Sequence, residues 1–575
     1  MKVRKNISRN SVSYAVIESF RDLNGKSTSR VVKSLGNEDE IKKNHPNVDP
    51  YEWAKEYARK LTLQKHIESS TIIAKYHPNK QITSGQQRSF NIGYLFLQSL
   101  YSQLNLSKII NQIQNKYAIK FNLNDIFAKL IYLRVLEPTS KRNSLIASQS
   151  LLEKMNCDQH QLYRALDVLQ KESETIQAQV YRNSLKLISR QKSILYYDCT
   201  NYYFEIEQED EFRKFGKSKE NRPNPIVQMG LFMDASGIPL AFSVFPGKDN
   251  EQPSLQKLEK KILNDFDLNK IIIVTDSGLS SKSNRIYNSF KNRSFITTQA
   301  IKKLKKYLKD WCLDPQGWHL KARDQKIDLR KINEQVACQQ NLIFFKDRWI
   351  KDDTGFEQHL VVTFSPRYKV YQQTIRERQF ERAELKVKQP SSLKNVHQND
   401  PKRFIKETAI TEDGEVADKK HYTTDLAKKQ EESKYDGFYA ICTNLEDDPL
   451  DLIKINHNRW EIEETFRIMK GELRGRPVYL QRKERIEAHF LICFMALLLF
   501  RILEQKAHQI ASFHEIIKTL RKMKVLEIPA QGYVPLYERT DITDTLHEAF
   551  NFRTDYEIMS VEKMKKIIKQ TKKEK

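Results

Sequence analysis

Three carboxylates of this chain stand where chemistry explains them better than packing does. Asp198 lies in SILYYDCTNYYFE, Asp276 follows the run IIIVT, and Glu463 lies in NRWEIEETFRIMKGEL. Both aspartates follow β-branched and aromatic residues, so each is predicted within or just beyond an apolar strand. A carboxylate there is costly unless it is paired or bound to a metal. Three such groups brought together by the fold would be enough to hold two divalent metal ions for phosphodiester chemistry.

The segment around the two aspartates indicates a mixed α/β sheet. Between residues 193 and 300, apolar runs alternate with turn residues, and helical stretches at 253–265 and 283–292 flank the run KIIIV. Three strands joined by short turns, then a helix, a strand, a helix and a strand, is the order of such a sheet. Asp198 falls on its first strand and Asp276 ends its fourth. Carboxylates at the ends of neighbouring strands commonly build a site in open α/β sheets.

The third carboxylate is predicted on a long amphipathic helix that begins near residue 451. Its narrow apolar stripe consists of Ile462, Phe466, Met469 and Leu473. Arg459, Glu463 and Lys470 lie along one flank of that stripe. Taken alone, they would be explained as a ladder of surface ion pairs. Together with the two aspartates, Glu463 becomes the candidate third member of the site.

The charge balance indicates a polyanionic partner. Lys plus Arg exceed Asp plus Glu by 98 − 73 = 25, and the sequence pI is about 9.4. Such a surplus favours nucleic acid before a membrane, although a merely lysine-rich cytosolic protein is the plain alternative. The six cysteines are scattered without a C-x-x-C pair, which is typical of reduced thiols. We expect a cytoplasmic protein that associates with the nucleoid when it binds DNA.

No membrane partner is expected. The N-terminal residues lack the apolar core of a signal peptide. The most apolar segment, 489–500, is too short to span a bilayer and is predicted to be a buried helix.

Composition and periodicity predict six regions along the chain. They are a strand-containing N-terminal arm (1–75), a helical region (76–190), the first half of the α/β core (191–300), a β-rich insertion (301–435), the second half of the core (436–510) and a C-terminal helical basic region (511–575). In the second region, a helix ending at Pro138 and another at 160–170 suggest a helix-turn-helix-like DNA module. Two helices that only pack on each other are the alternative. The basic C-terminal helix is predicted to be solvated.

Several nucleotide and hydrolase motifs fail. Gly216-Lys217-Ser218 resembles the end of a phosphate-binding loop, but Glu211 stands where that motif needs its first glycine. The chain has no G-x-G-x-x-G, H-E-x-x-H or G-x-S-x-G. Nucleotide hydrolysis and serine-type acyl transfer are therefore disfavoured.

As a set, motifs spread over most of the chain resemble those of bacterial insertion-sequence transposases of the DDE class. The resemblance is carried by PTSK (138–141), LYRALD (162–167), YYDCTNYYFE (196–205), FGKSKENRPNPIVQMGLFMDASGIPLAFSVFPG (215–247), VTDSGLSSKSN (274–284), DGFYAICTN (436–444), RWEIEETFRIMKGELRGRPVY (459–479) and HFLICFMALLL (489–499). It implies an RNase H-like mixed-sheet catalytic core interrupted by a β-rich insertion. It also implies a mainly helical N-terminal DNA-binding region.

The resemblance also assigns roles at the site. In this family two aspartates and a glutamate hold two Mg²⁺ ions, with Mn²⁺ as a substitute, and these map to Asp198, Asp276 and Glu463. Arg459, Glu463 and Lys470 match the last three members of a Tyr-Arg-Glu-Lys signature. Its tyrosine position is Asn456 here. Arg459, Lys470 and Asn456 are predicted to bind DNA phosphates.

The implied reaction is cutting at the terminal inverted repeats, followed by joining of the freed 3′-OH to target DNA. Pairing of two transposon ends implies a homodimer. Three alternatives remain open from the sequence. One is an inactive relative that only binds DNA, a second is a metal-dependent nuclease without strand transfer, and a third is a basic RNA-binding structural protein.

Overall fold

A computed structural model describes residues 1–8, 11–21, 27–46, 48–69, 78–220, 222–266, 270–320, 325–388, 400–410, 419–508 and 510–574. The chain divides into two compact units, residues 1–86 with 528–532, and residues 87–527 with 533–575. The pair Asn24-Gly25 predicts a turn in the N-terminal arm, and both residues lie outside the described residues.

The first unit is an antiparallel meander followed by two helices. Its elements are β1 (Lys2–Ile7), β2 (Val12–Arg21), β3 (Ser27–Asn37), α1 (Glu38–Asn44) and α2 (Pro50–Ser69). Helix α1 begins at a capping box, because the Asn37 side chain accepts from the Glu40 N–H and the Glu40 side chain accepts from the Asn37 N–H. The small core of this unit is built on buried Tyr14, Ile41 and Ala54.

The second unit opens with helices. They follow β4 (Ser89–Asn91) and are α3 (Tyr94–Gln103), α4 (Leu106–Lys116), α5 (Leu123–Leu136), α6 (Lys141–Ala147), α7 (Gln159–Lys171) and α8 (Ser173–Leu187). Helix α5 is buried at nearly every position, so it has no face to offer to a DNA groove. Helix α6 separates it from α7, and the pair is not a helix-turn-helix. We still predict that the exposed faces of the helices in this region contact DNA.

The α/β order predicted for the next segment is present. Its elements are β5 (Ile194–Tyr203), β6 (Ile226–Asp234), β7 (Pro239–Pro246), α9 (Gln252–Asp265), β8 (Ile271–Thr275), α10 (Lys282–Tyr287) and β9 (Arg293–Thr298). Helix α10 ends five residues earlier than the sequence pattern suggested.

The segment 301–435 is mixed rather than β-rich in the part that the structure describes. It holds α11 (Lys306–Leu313), α12 (Glu334–Gln339), β10 (Phe344–Lys351), β11 (Glu357–Phe364), α13 (Pro366–Val387), β12 (Ile405–Ile410), β13 (Lys419–Thr424) and α14 (Leu426–Ser433). Strands β10 and β11 do not form a sheet of their own, because β11 pairs with a later core strand. The stretch 390–401, which contains Ser, Asn and Pro, predicts a loop, and most of it lies outside the described residues.

The C-terminal third returns to the core and then becomes helical. Its elements are β14 (Phe438–Thr443), α15 (Pro449–His457), α16 (Trp460–Lys470), α17 (Lys483–Lys506), α18 (Phe513–Lys522), β15 (Lys524–Ile528), β16 (Gly532–Pro535), α19 (Asp541–Phe550) and α20 (Val561–Thr571). The long helix predicted from residue 451 is broken at Asn458 into α15 and α16. Helix α20 is not simply solvated, since Met564, Ile567 and Thr571 are buried.

One eight-stranded sheet organises the second unit, in the order β10-β11-β14-β9-β8-β5-β6-β7. Strands β5, β8 and β9 are parallel, while β6 and β7 continue antiparallel from β5. An antiparallel three-stranded meander with two parallel strands added beside its first strand is the arrangement that the RNase H-like expectation requires. One face of the sheet packs on α8 and α9, and the other packs on α16 and α17.

Helix α17 is the buried helix predicted from the apolar segment 489–500, although it is twice as long. By length and composition it could cross a membrane, but 89% of its most apolar stretch is buried inside the structure. Leu491, Phe494 and Leu498 are among its buried residues, which place it in the main core.

Candidate active site

The parallel pairing of β5 with β8 brings the two aspartates together. The pairing runs as far as Tyr196 and Val274, and Asp198 lies two residues further along β5 while Asp276 follows directly after the end of β8. The charge of Asp276 raises the pKa of Asp198, which shows that the two carboxylates are near each other. Residues two apart on a strand face the same side, and paired strands are about 4.8 Å apart. Both side chains are half-buried at this edge. The fold thus places the first two predicted carboxylates side by side, on the face that packs on α16 and α17.

The loop after β8 holds Asp276 in place. The Leu279 N–H donates to Asp276 Oδ1 at 3.1 Å, and the Thr297 hydroxyl donates to the Asp276 carbonyl at 3.2 Å. Asn284 is buried and donates to the Leu279 carbonyl at 3.0 Å. Asn284 therefore positions the loop that carries Asp276 and is not itself part of the carboxylate pair.

Asp198 has an unusually basic carboxyl. Burial raises its pKa to about 6, and the nearby negative charge of Asp276 acts in the same direction, whereas Lys219 opposes them. Its Oδ1 accepts from the Cys199 N–H at 2.7 Å. Two adjacent carboxylates in a half-buried setting repel each other, and a cation between them relieves both the repulsion and the desolvation.

Among the described residues, Asp198, Asp276 and Glu463 do not offer three carboxylate oxygens within 4.8 Å of one another, and Glu463 pairs with Arg459 instead. Arg459 Nη1 lies 2.8 Å from Glu463 Oε1, and the Glu463 side chain is 57% exposed. Burial alone would lower the pKa of Arg459, but Tyr439 and all three predicted carboxylates raise it, and the net shift is upward. Arg459 is therefore within electrostatic reach of the whole triad. Its Nε is buried and has no hydrogen-bond partner among the described residues.

Lys470 is partly neutralised. Its Nζ lies 3.2 Å from Glu220 Oε1, and Arg476 pairs with the other oxygen of the same carboxylate. Burial lowers the pKa of Lys470 to about 8, and the positive charge of Lys219 adds to this. The signature lysine thus lies at the site, but its charge is shared with an acidic neighbour that the sequence did not reveal.

Lys219 is a site residue that the sequence analysis missed. Its Nζ donates to the Cys199 carbonyl, directly beside Asp198, and lies 3.7 Å from Glu251 Oε1. The loop between β5 and β6 delivers it, and no local pattern marks a lysine that reaches the site through tertiary structure alone.

Asn456 is buried, at 7% exposure. Its Nδ2 donates at 3.1 Å to the hydroxyl of Tyr439, which belongs to β14, while its Oδ1 has no partner among the described residues. A tyrosine therefore lies beside this position, although it comes from another element. Asn456, Tyr439, Arg459 and Glu463 all line one cavity of about 740 Å³.

The donor set suits a hard divalent cation. Carboxylate oxygens are the ligands that Mg²⁺ and Mn²⁺ prefer in proteins, and the two aspartates supply them at the central sheet.

A different cluster of possible metal ligands lies near the C-terminus. Within the described part of the chain, three possible ligand atoms lie within 4.8 Å of one another only at Asp544, His547 and Asp555. Arg553 pairs with both of those aspartates, so an ion there would compete with a guanidinium.

Two family models match the chain. Residues 190–499 match the transposase DDE domain, and residues 1–69 match the N-terminal domain of IS1634 family transposases. Because the first match spans more than half of the chain, the protein belongs to the DDE transposases of bacterial insertion sequences. It is a metal-dependent DNA transposase. The family predicted from the sequence motifs is confirmed.

Comparison with other proteins adds little beyond the family. No curated protein matches the chain significantly. A piggyBac transposase synaptic complex with hairpin DNA aligns with 84% of this chain and 88% of its own, at 9% identity and a TM-score of 0.38. A Mos1 transposase paired-end complex with its left transposon end aligns with 42% of this chain and 66% of its own, at 11% identity and a TM-score of 0.13. The assignment rests on the family match.

Proposed function

We propose that this transposase cuts DNA at the ends of its element by metal-dependent hydrolysis and joins the freed 3′-OH to target DNA. One observation supports the proposal: Arg459 pairs with Glu463, and its pKa is raised by Asp198 and Asp276 as well as by Glu463. These three carboxylates would hold two Mg²⁺ ions, or Mn²⁺ in their place. Ions bound there would activate the attacking water and stabilise the leaving 3′ oxygen.

The cations of the site have separate tasks in this scheme. Arg459 has a buried Nε without an acceptor among the described residues, which suits it to a phosphate oxygen next to the scissile bond. Lys219 partly balances the charge of Asp198. Lys470 becomes available to a phosphate when DNA competes with Glu220 for it. Asn456 would contact a DNA phosphate through its second amide N–H, since one N–H already donates to Tyr439.

The remaining partners follow from the chemistry. The net charge of +25 supplies non-specific, salt-dependent affinity for DNA. Cutting two ends in one event requires two active sites, so we propose a homodimer in the synaptic complex. The terminal inverted repeats and the target DNA are its substrates, and the cytoplasm, at the nucleoid, is the proposed location.

The test is cleavage of a labelled duplex that carries the element's own terminal repeat. Wild type should nick the end with Mg²⁺ and fail with EDTA, whereas Glu463→Gln should bind the duplex without nicking it. The exposed position of Glu463 makes this substitution neutral for folding. Equal nicking by both proteins would remove Glu463 from the site.

Strand transfer needs its own readout. A labelled end with a free 3′-OH, mixed with unlabelled plasmid, should become covalently joined to the plasmid in the presence of wild type. Nicking without any joined product would identify a nuclease instead, and binding without nicking by wild type would identify an inactive relative.

A further inference from the structure

A second cavity, of about 530 Å³, lies between α5, α6, the loop after α16, and α17. Its described lining residues include five Lys and Arg side chains and no carboxylate. These cations are Arg134, Lys141, Arg142, Arg474 and Arg476. The cavity belongs to neither the triad nor the cavity beside Asn456, and the PTSK motif contributes four of its residues.

Lys141 is the most informative of these cations. It is only 4% exposed, and its Nζ is buried without a hydrogen-bond partner among the described residues. Burial lowers its pKa well below the usual range, and the neighbouring Arg134 adds to this effect. Keeping this amine protonated is costly without a counter-ion, and an anion in the cavity would restore its charge. Such a group indicates a missing anion.

Arg134 is a second buried cation with a nitrogen that has no partner among the described residues. It is 4% exposed, and its guanidinium donates only to carbonyl oxygens, those of Leu473, Arg474 and Thr139. Its Nε has no partner in the described structure. His489, on the same cavity wall, adds no further positive charge, because burial holds its pKa well below the usual range. Two buried cations thus face one cavity without an acidic side chain.

The position of the cavity indicates which anion fills it. Arg476 lines the cavity and pairs with Glu220, and Glu220 also pairs with Lys470 at the catalytic site. Lys470 at the catalytic site and Arg476 at the cavity are therefore neighbouring cations that share the carboxylate of Glu220. DNA that enters the active site would follow these cations with its backbone, and a cavity of this volume is ample for a phosphodiester.

We propose that this cavity binds a backbone phosphate of the DNA substrate, with Lys141 and Arg134 as its counter-ions. The proposal deepens the proposed function, since it rests on DNA being the substrate. A free phosphate ion shares the same chemistry, and the two sources are separated below.

The first experiment measures anion binding alone. Thermal unfolding of the full chain is followed with and without inorganic phosphate for wild type, Lys141→Met and the control Lys154→Met. Lys154 is exposed and does not line the cavity. Phosphate should raise the Tm of wild type and of the control, and this rise should be lost in Lys141→Met. Without phosphate, Lys141→Met should melt above wild type, because it no longer buries an uncompensated charge. An equal rise in all three proteins would overturn the proposal.

The second experiment separates DNA from the free ion. The affinity for a duplex end is measured against salt concentration by fluorescence anisotropy, without divalent metal. Loss of one phosphate contact should reduce the slope of log K against log salt by about 0.9 in Lys141→Met, beyond any change in the control. An unchanged slope with a lost phosphate response would overturn the assignment to DNA. Failure of wild type to cut DNA would refute the proposed function while leaving both binding results intact.

Discussion

Replacing Arg459 by methionine should abolish most of the activity while leaving the fold almost as stable as before. The effect of this substitution on stability can be estimated from the structure separately from its effect on catalysis. The ion pair with Glu463 is an i,i+4 contact to a side chain that is 57% exposed, so it contributes only about 0.3–0.5 kcal/mol. The unpartnered Nε of Arg459 is itself a cost to the folded state, and methionine removes it. The net change in the free energy of unfolding should stay within about 0.5 kcal/mol.

The catalytic loss should be far larger. A donor aimed at charge that develops in the transition state contributes about 100- to 1,000-fold in rate when it acts in a site sheltered from water. We therefore expect end nicking by Arg459→Met to slow by that factor under single-turnover conditions. Urea denaturation of the same preparations gives the stability change.

The matched control lies on α16, the helix that begins directly after Arg459. Arg467 is 76% exposed and pairs with Glu464 at 2.9 Å, so Arg467→Met loses a similar ion pair away from the triad. It should nick DNA at nearly the wild-type rate. The reasoning is refuted if both variants lose activity equally, or if Arg459→Met loses several kcal/mol of stability along with its activity.

Two further predictions concern the scaffold that holds the site. Asp234→Ala should lower the free energy of unfolding, measured by urea denaturation, by about 3–5 kcal/mol, because it leaves the charge of Arg190 buried without its partner. Arg190 Nε is fully buried and lies 2.5 Å from Asp234 Oδ2. A loss below about 1 kcal/mol would contradict this. Burial raises the pKa of Glu259 from 4.5 to about 7 despite Arg293, so the folded state holds this proton more tightly than the unfolded chain does. Stability should therefore fall as pH rises from about 4.5 to 7, by up to about 3 kcal/mol. In Glu259→Gln the free energy of unfolding should decrease less over this pH range, and at pH 8 the variant should be more stable than wild type. The same dependence of stability on pH in both proteins would contradict this prediction.

The local features of this fold could be predicted from the sequence because they depend on short patterns. Alternating apolar runs gave β5 to β9 in order, and the stripe of Ile462, Phe466, Met469 and Leu473 is buried. Asp198 was predicted on the first strand of the sheet and Asp276 at the end of the fourth, and the structure has Asp198 within β5 and Asp276 directly after β8.

The features that depend on long-range pairing could not be predicted. Strand β11 looked like part of a separate β-rich insertion, but it extends the central sheet by pairing with β14. Helix α20 is rich in lysine, yet Met564 and Ile567 give it a buried face. Lys219 and Glu220 lie at the site because of the tertiary structure of their loop, and no local sequence pattern predicts this position. The missing partner of Lys141 can be recognised only from the residues that surround it in the described structure.

The most direct test of the central claim is the number of Mn²⁺ ions that the protein binds, measured by electron paramagnetic resonance in the presence of a transposon-end duplex. We predict two bound ions per wild-type chain and loss of binding in Asp198→Asn, whose amide cannot replace a carboxylate in an oxygen-ligand site. Asp352→Asn is the control, since Asp352 is a surface carboxylate paired with Lys282 away from the triad. Unchanged Mn²⁺ binding by Asp198→Asn would contradict the claim that these carboxylates form the metal centre.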